Sequence, residues 1–176
     1  MKHTASADRP NANTYWVVPG RLLAGEYPRN ADEESSAEKL RGYLDAGVTF
    51  FLDLTEEGEL TPYRGMLEDQ AGVVHCRMSI PDLCVPPSRA HMAEILDRID
   101  GALAEGHVVY VHCWGGVGRT GTVVGCYLVR RGMTGDDALA TVASHWTTMQ
   151  KRHRRRRSPE TDEQCEWVRS WTEPAR

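Results

Sequence analysis

The sequence predicts an α/β fold, with a central, mostly parallel sheet of about four to five strands flanked by helices. Three observations carry this expectation. Short runs dense in β-branched and aromatic residues, such as residues 48–54, have the length and composition of buried strands. Segments with apolar residues at helical spacing, such as Met92, Ile95, Leu96, Ile99 and Leu103, alternate with them. Glycines and prolines punctuate the joints. With 176 residues, 40% of them hydrophobic and 26% charged, the chain suits one folded domain. That domain is expected over residues 14–176, after a polar and disordered N-terminus at 1–13.

Each element has a local cause. Tyr15-Trp16-Val17-Val18 and Arg21-Leu22-Leu23-Ala24 flank the turn pair Pro19-Gly20 and read as two short strands. Residues 31–46 place Leu40, Tyr43 and Leu44 at helical spacing, with Gly47 as a stop. Residues 48–54 form a strand, 56–70 a mixed stretch with room for a short helix, and 73–80 another strand. Residues 81–87 hold three prolines and must be a loop. Ser88 caps a helix running to about Glu105. The strand at 107–111 leads through a glycine-rich bend into a helix from Thr120 to Arg131. Thr134 and Asp137 resemble a capping box for a helix to about Trp146. Ser158-Pro159-Glu160 supplies a cap and a first-turn proline for a last helix through Trp171.

Composition narrows the function classes. No apolar run approaches a membrane span, so no stable membrane insertion is expected. The first eight residues lack an apolar h-region. Five cysteines without regular spacing argue against a disulfide framework, and a reducing cytoplasm is the default. No cofactor, metal or nucleic-acid partner is expected, and a monomer is. The net charge of −4 hides a basic block at 151–157; without its six positive charges the remainder would stand at −10. The block reads either as an anion-steering surface or as a solvated turn.

The most informative stretch is His112-Cys113-Trp114-Gly115-Gly116-Val117-Gly118-Arg119-Thr120. A loop between a strand end and a helix start turns its N–H groups inward, and the helix dipole adds positive potential. Trp114, Gly115, Gly116, Val117, Gly118 and Arg119 would cradle a phosphate-sized dianion, with the Cys113 thiol at the floor. The Cys-x5-Arg pair alone is cheap. With 5 cysteines and 18 arginines, roughly half a match is expected by chance. The specificity comes from His112 before it, the glycines within it, Thr120 after it, and the strand and helix around it.

On these residues the chain resembles the cysteine-dependent phosphatases of the protein-tyrosine and dual-specificity superfamily, whose signature His-Cys-x5-Arg-Ser/Thr is matched in full at 112–120. The resemblance implies a phosphatase-like fold over about Trp16 to Trp171, a phosphorylated protein or other phosphate monoester as substrate, and a cysteinyl-phosphate intermediate. Cys113 would be the nucleophile, and Arg119 a bidentate grip on phosphate oxygens that lysine would not replace. Thr120 would donate to the Cys113 sulfur when it leaves. His112 would order the loop. Asp82, on the loop after the 73–80 strand, would be the general acid, with a plain turn aspartate as the alternative. Asp53 is its rival but lies inside a strand and reads as structural. Gln164 resembles the late glutamine that positions hydrolytic water in some members; a surface helix position is the alternative. Cys76 or Cys84 could protect Cys113 as a disulfide, as in some relatives, or be buried and inert. Trp114 shapes either the floor of the pocket or its rim.

Rival readings are weaker. A nucleotide-binding loop needs lysine where Arg119 stands. A zinc site built from His75-Cys76 and His112-Cys113 would point adjacent ligands to opposite faces of their strands. A rhodanese-like sulfur carrier would not call for Asp82. An inositol phosphate or phosphoinositide substrate remains open, although the loop itself carries no lysine. So does a phosphate-binding module without turnover.

Overall fold

The computed structural model describes residues 8–175. Five strands form one sheet in the order β1-β2-β5-β3-β4. They are β1 (Thr14–Val18), β2 (Leu22–Gly25), β3 (Phe50–Asp53), β4 (Val74–Arg77) and β5 (Val109–His112). Only β1 runs antiparallel, as the short Pro19-Gly20 turn requires; β2, β5, β3 and β4 are parallel. The helices are α1 (Glu33–Asp45), α2 (Arg89–Ala104), α3 (Gly118–Arg130), α4 (Gly135–Thr147) and α5 (Asp162–Arg169). Two single-turn 3-10 segments, Arg64–Leu67 and Gln150–His153, lie in the connections. The first is the short helix expected within 56–70.

Strand alternation divides the core in two. Leu22, Ala24, Phe50, Leu52, Val109 and Val111 face a large cluster completed by residues of α2, α3, α4 and α5. Leu23, Phe51 and Tyr110 face a smaller one with Leu40 and Tyr43 of α1 and Leu67. Both faces are covered, which is why β5 reads as a near-continuous apolar run. The register then brings the strand ends together: Gly25 pairs with His112, and Asp53 pairs with both His112 and Arg77. The functional loop leaves from this carboxyl edge of the parallel strands, where open α/β sheets form their crevices.

Local signals hold at most helix starts. Asp32, Ser88 and Thr134 each accept from a backbone N–H three residues on. Two expectations change. The disordered segment 1–13 divides: residues 1–7 lie outside the described residues, while 8–13 are placed against the domain. Arg9 donates to Thr14 O at 3.1 Å, and Asn11 Nδ2 donates to the Tyr43 hydroxyl at 3.1 Å. The last helix is capped by Thr161, not Ser158. The Ser158 hydroxyl instead donates to Val117 O at 2.6 Å, tying this segment to the Cys113 loop. A tertiary acceptor outcompetes the local cap there.

Candidate active site

β5 ends at His112 and α3 begins at Gly118, so residues 113–117 make the tight connection between them. The helix starts two residues earlier than periodicity suggested, which puts Arg119 in its first turn. Among the described residues, the amides of Trp114, Gly115, Gly116 and Val117 donate to no protein acceptor. They and the α3 N-terminus form an N–H-lined cradle suited to an anion. Gly116 makes the bend possible: its φ is +73°, and a Cβ there would lie 2.5 Å from the Gly25 carbonyl carbon. Gly116 therefore packs on the end of β2. Cys113, Trp114, Gly115, Val117, Gly118 and Arg119 line a cleft of about 310 Å³.

Of the sequence-predicted residues, Cys113, Arg119 and Asp82 converge at this cleft. The buried Thr120 hydroxyl donates to Cys113 Sγ at 3.1 Å. Asp82 reaches the cleft from the loop after β4, and its Oδ1 lies 3.1 Å from Arg119 Nη2. That loop holds Leu83 at φ 61°, a left-handed conformation uncommon for a bulky residue. Trp114, with 57% of its surface exposed, stands at the rim and not the floor. Lys151, Arg154 and Arg155 of the basic block also line the cleft, whereas Arg157 pairs with Asp162 of α5.

His112 is fully buried beneath the loop. Burial pushes its imidazole down to about 4, more than offsetting the pull of Asp53, so the ring is neutral at pH 7. Its Nδ1 lies 3.2 Å from Cys113 O and must donate there, since a carbonyl only accepts. Its Nε2, 2.6 Å from the Tyr63 hydroxyl, then accepts. His112 thus pins the Cys113 carbonyl from below. Asp53 is structural, as expected: buried, it accepts from Thr55 N, the Thr55 hydroxyl, His75 and Arg77. Burial opposes its ionisation, yet these hydrogen bonds hold its carboxyl well below the usual carboxylate range.

Two site residues escaped the sequence reading. Glu59 binds Arg119 with both oxygens, Oε1 to Nη2 at 2.6 Å and Oε2 to Nη1 at 2.9 Å. Burial opposes charge on Glu59, but the Arg119 hydrogen bond holds its carboxyl below the ordinary value. Tyr63 is the other. Glu59 has a weak signal in its place a few residues beyond a strand end; Tyr63 carries none that sets it apart from a core tyrosine.

Gln164 is neither a surface residue nor part of the cleft lining. It is fully buried behind Gly118. Its Oε1 accepts from Glu160 N and Thr161 N, and its Nε2 donates to Cys84 O at 3.1 Å, joining the α5 cap to the Asp82 loop. All five cysteines carry free thiols. Cys84 is exposed, not buried, and burial raises the Cys76 thiol.

The chain is similar to known phosphatases. Residues 11–168 match the family model described as PTP-SAK, Swiss Army Knife protein, DSP-PTPase phosphatase domain. The dual specificity protein phosphatase CDC14B of Mus musculus is 30% identical over 140 residues, covering 74% of this chain and 27% of that protein. The tyrosine-protein phosphatase cdc-14 of Caenorhabditis elegans is 24% identical over 140 residues, 73% of this chain and 18% of that protein. The chain thus spans well under half the length of these curated relatives. The crystal structure of Tk-PTP in the active form superposes with a TM-score of 0.67 and 29% identity, over 88% of this chain and 92% of that one. With residues 11–168 matched by that family model, the chain belongs to the cysteine-based dual-specificity and tyrosine phosphatase family.

Proposed function

We propose that this protein hydrolyses phosphate monoesters, phosphotyrosine and also phosphoserine or phosphothreonine in proteins, through a phosphocysteine intermediate. The observation that carries this reading is the convergence of Cys113, Arg119 and Asp82 on one cleft.

Arg119 has five N–H donors. One on Nη1 goes to Glu59 and another to Ile80 O at 3.1 Å; Nη2 donates to Glu59 and is ion-paired with Asp82 at 3.1 Å. The Nε–H and the second Nη2–H, beside Asp82, are the edge left for two phosphate oxygens. An arriving phosphate takes that edge and frees Asp82 from Arg119; Asp82 enters the step protonated and gives that proton to the leaving oxygen. The Cys113 sulfur attacks phosphorus while the ester P–O bond breaks. The loop amides and Arg119 hold the charge spread over the equatorial oxygens. Asp82 then accepts a proton from water as water attacks phosphorus, and the P–S bond breaks with its electron pair returning to sulfur. Thr120 stabilises that sulfur. His112, neutral and pinned, orders the loop and moves no proton. We read the protein as a monomer working in a reducing compartment; the five free thiols support the latter. No helix among the described residues is long and apolar enough to cross a membrane.

The test is turnover of para-nitrophenyl phosphate by the wild type, Cys113→Ser and Asp82→Ala. Loss in the serine variant is expected. In the alanine variant, a drop in kcat of about 10²-fold with little change in KM is expected. A wild type that binds a phosphopeptide without turnover would make this a binding module. An inositol phosphate or phosphoinositide substrate is the second reading, favoured by Lys151, Arg154 and Arg155 on the rim. A substrate panel of phosphopeptides and inositol phosphates separates the two.

A further inference from the structure

The turn that carries Asp82 is held in an unusual shape by few contacts. Cys84 N donates to Pro81 O at 3.1 Å, closing a four-residue turn, and Leu83 takes its third position at φ 61°. That position favours glycine, and a leucine stays there only where its surroundings hold it. Burial does not hold it: residues 81–84 are all exposed, Leu83 to 53%. Among the described residues, two polar contacts tie the turn to the rest of the domain. One is the 3.1 Å pair of Asp82 with Arg119, which an arriving phosphate displaces. The other is the 3.1 Å bond from Gln164 Nε2 to Cys84 O. That donor is fixed in direction. Gln164 Oε1 accepts from Glu160 N at 3.0 Å and Thr161 N at 3.1 Å, so the amide nitrogen has to face Cys84. The amide also abuts the start of α3: a Cβ on Gly118 would lie 2.9 Å from it. Gln164 therefore sets the acid turn in register with Gly118, the residue before Arg119.

We propose that Gln164 is a positioning residue for the general acid. Through its hydrogen bond to Cys84 O it holds the Pro81–Cys84 turn over the cleft, so that Asp82 stays within reach of the leaving oxygen once phosphate has displaced it from Arg119. This rests on the phosphatase reading. It differs from the water-positioning role that the resemblance implies, for which Gln164 would have to line the cleft.

The experiment compares kcat/KM for para-nitrophenyl phosphate and phenyl phosphate. Phenoxide leaves less readily than para-nitrophenolate and needs the acid more. kcat/KM reports on P–O cleavage and not on hydrolysis of the intermediate. Gln164→Glu keeps the two cap acceptors and loses the donor to Cys84 O; the two N–H groups and the helix N-terminus keep the new carboxyl ionised. Gln164→Met, neutral and of similar length, excludes an effect of the new charge and serves if the first variant does not fold. In each, the preference for the nitrophenyl ester should rise on the order of tenfold. In an Asp82→Ala background the same substitutions should add nothing to that preference, because Gln164 acts through Asp82. Thr161→Ala weakens the α5 cap but leaves the bond to Cys84, and should lower Tm without changing the preference. An unchanged preference in both Gln164 variants, or one that Thr161→Ala shifts as far, overturns the inference and leaves a structural residue. A burst of p-nitrophenol with kcat/KM unchanged also overturns it, and assigns Gln164 to the attacking water. In either case the phosphatase reading stands. If the wild type turns over neither ester, that reading falls and takes this inference with it.

Discussion

Replacing Glu59 by alanine removes the main counter-charge of a guanidinium that is almost wholly out of water. The Arg119 side chain is 1% exposed and the Glu59 side chain 16%. Their two hydrogen bonds, at 2.6 and 2.9 Å, are the shortest that Arg119 makes. Breaking a buried ion pair on one side costs about 3–5 kcal/mol. Asp82 remains 3.1 Å away but is half exposed, so it compensates only in part, and a loss of about 3 kcal/mol is expected. For a chain of this length that lowers Tm by roughly 6–12 °C. Glu59→Gln keeps the shape and one acceptor but loses the charge, and should fall between the two. Arg119 without its clamp no longer presents a fixed edge to phosphate, so kcat/KM for para-nitrophenyl phosphate should drop at least about tenfold. Saturating inorganic phosphate should restore part of the lost Tm, because the anion supplies a new counter-charge. Thermal melts with steady-state kinetics decide the matter. An alanine variant within about 1 kcal/mol of wild type and with unchanged kcat/KM would show that Arg119 is held by its remaining contacts and that the clamp reasoning is wrong.

Three other outcomes are expected. Gly116→Ala must adopt φ +73° and push its Cβ to 2.5–2.8 Å from the backbone of Gly25 and Glu26, so it should cost more than about 2 kcal/mol and most activity, whereas Gly20→Ala, at φ +69° in open space, should cost about 1 kcal/mol in urea melts. Thr120→Ala loses the 3.1 Å hydrogen bond to sulfur and should slow hydrolysis of the intermediate, giving a stopped-flow burst of p-nitrophenol that Thr120→Ser does not show; equal steady-state rates without a burst would contradict the role. The His112 imidazole is held at about 4 when folded and near 6.5 when unfolded, so the unfolded chain takes up the proton first. Stability should therefore be full above about pH 6.5 and fall by about 3 kcal/mol on acidification to pH 4, with His145, also lowered by burial, adding in the same direction; the urea midpoint of His112→Asn should move less over that window.

The expectations that held rest on short-range causes. Residues 50–53 and 109–112 are strands because runs of β-branched and aromatic residues can be buried on both faces. Asp32, Ser88 and Thr134 start helices because their oxygens reach a backbone N–H three residues away. Cys113, Arg119 and Thr120 were recognisable because all three sit on one strand–loop–helix unit of nine residues. The errors came where a distant group competed with a local one. Ser158 looked like a cap, but Val117 O, 41 positions away in the chain, took its hydroxyl. Gln164 looked like a helix surface position, but it is buried behind Gly118 and bonded to Cys84 O, 80 positions away.

By itself, then, the sequence determined the α/β layering and the strand–loop–helix unit that carries Cys113 and Arg119, because periodicity, capping and a contiguous motif act over a few residues. Only the tertiary structure decided what surrounds that loop. Glu59 clamps Arg119 across 60 positions, and Tyr63 holds His112 across 49. Such partners are chosen by sheet register and helix packing, which set distances in space that spacing along the chain does not encode.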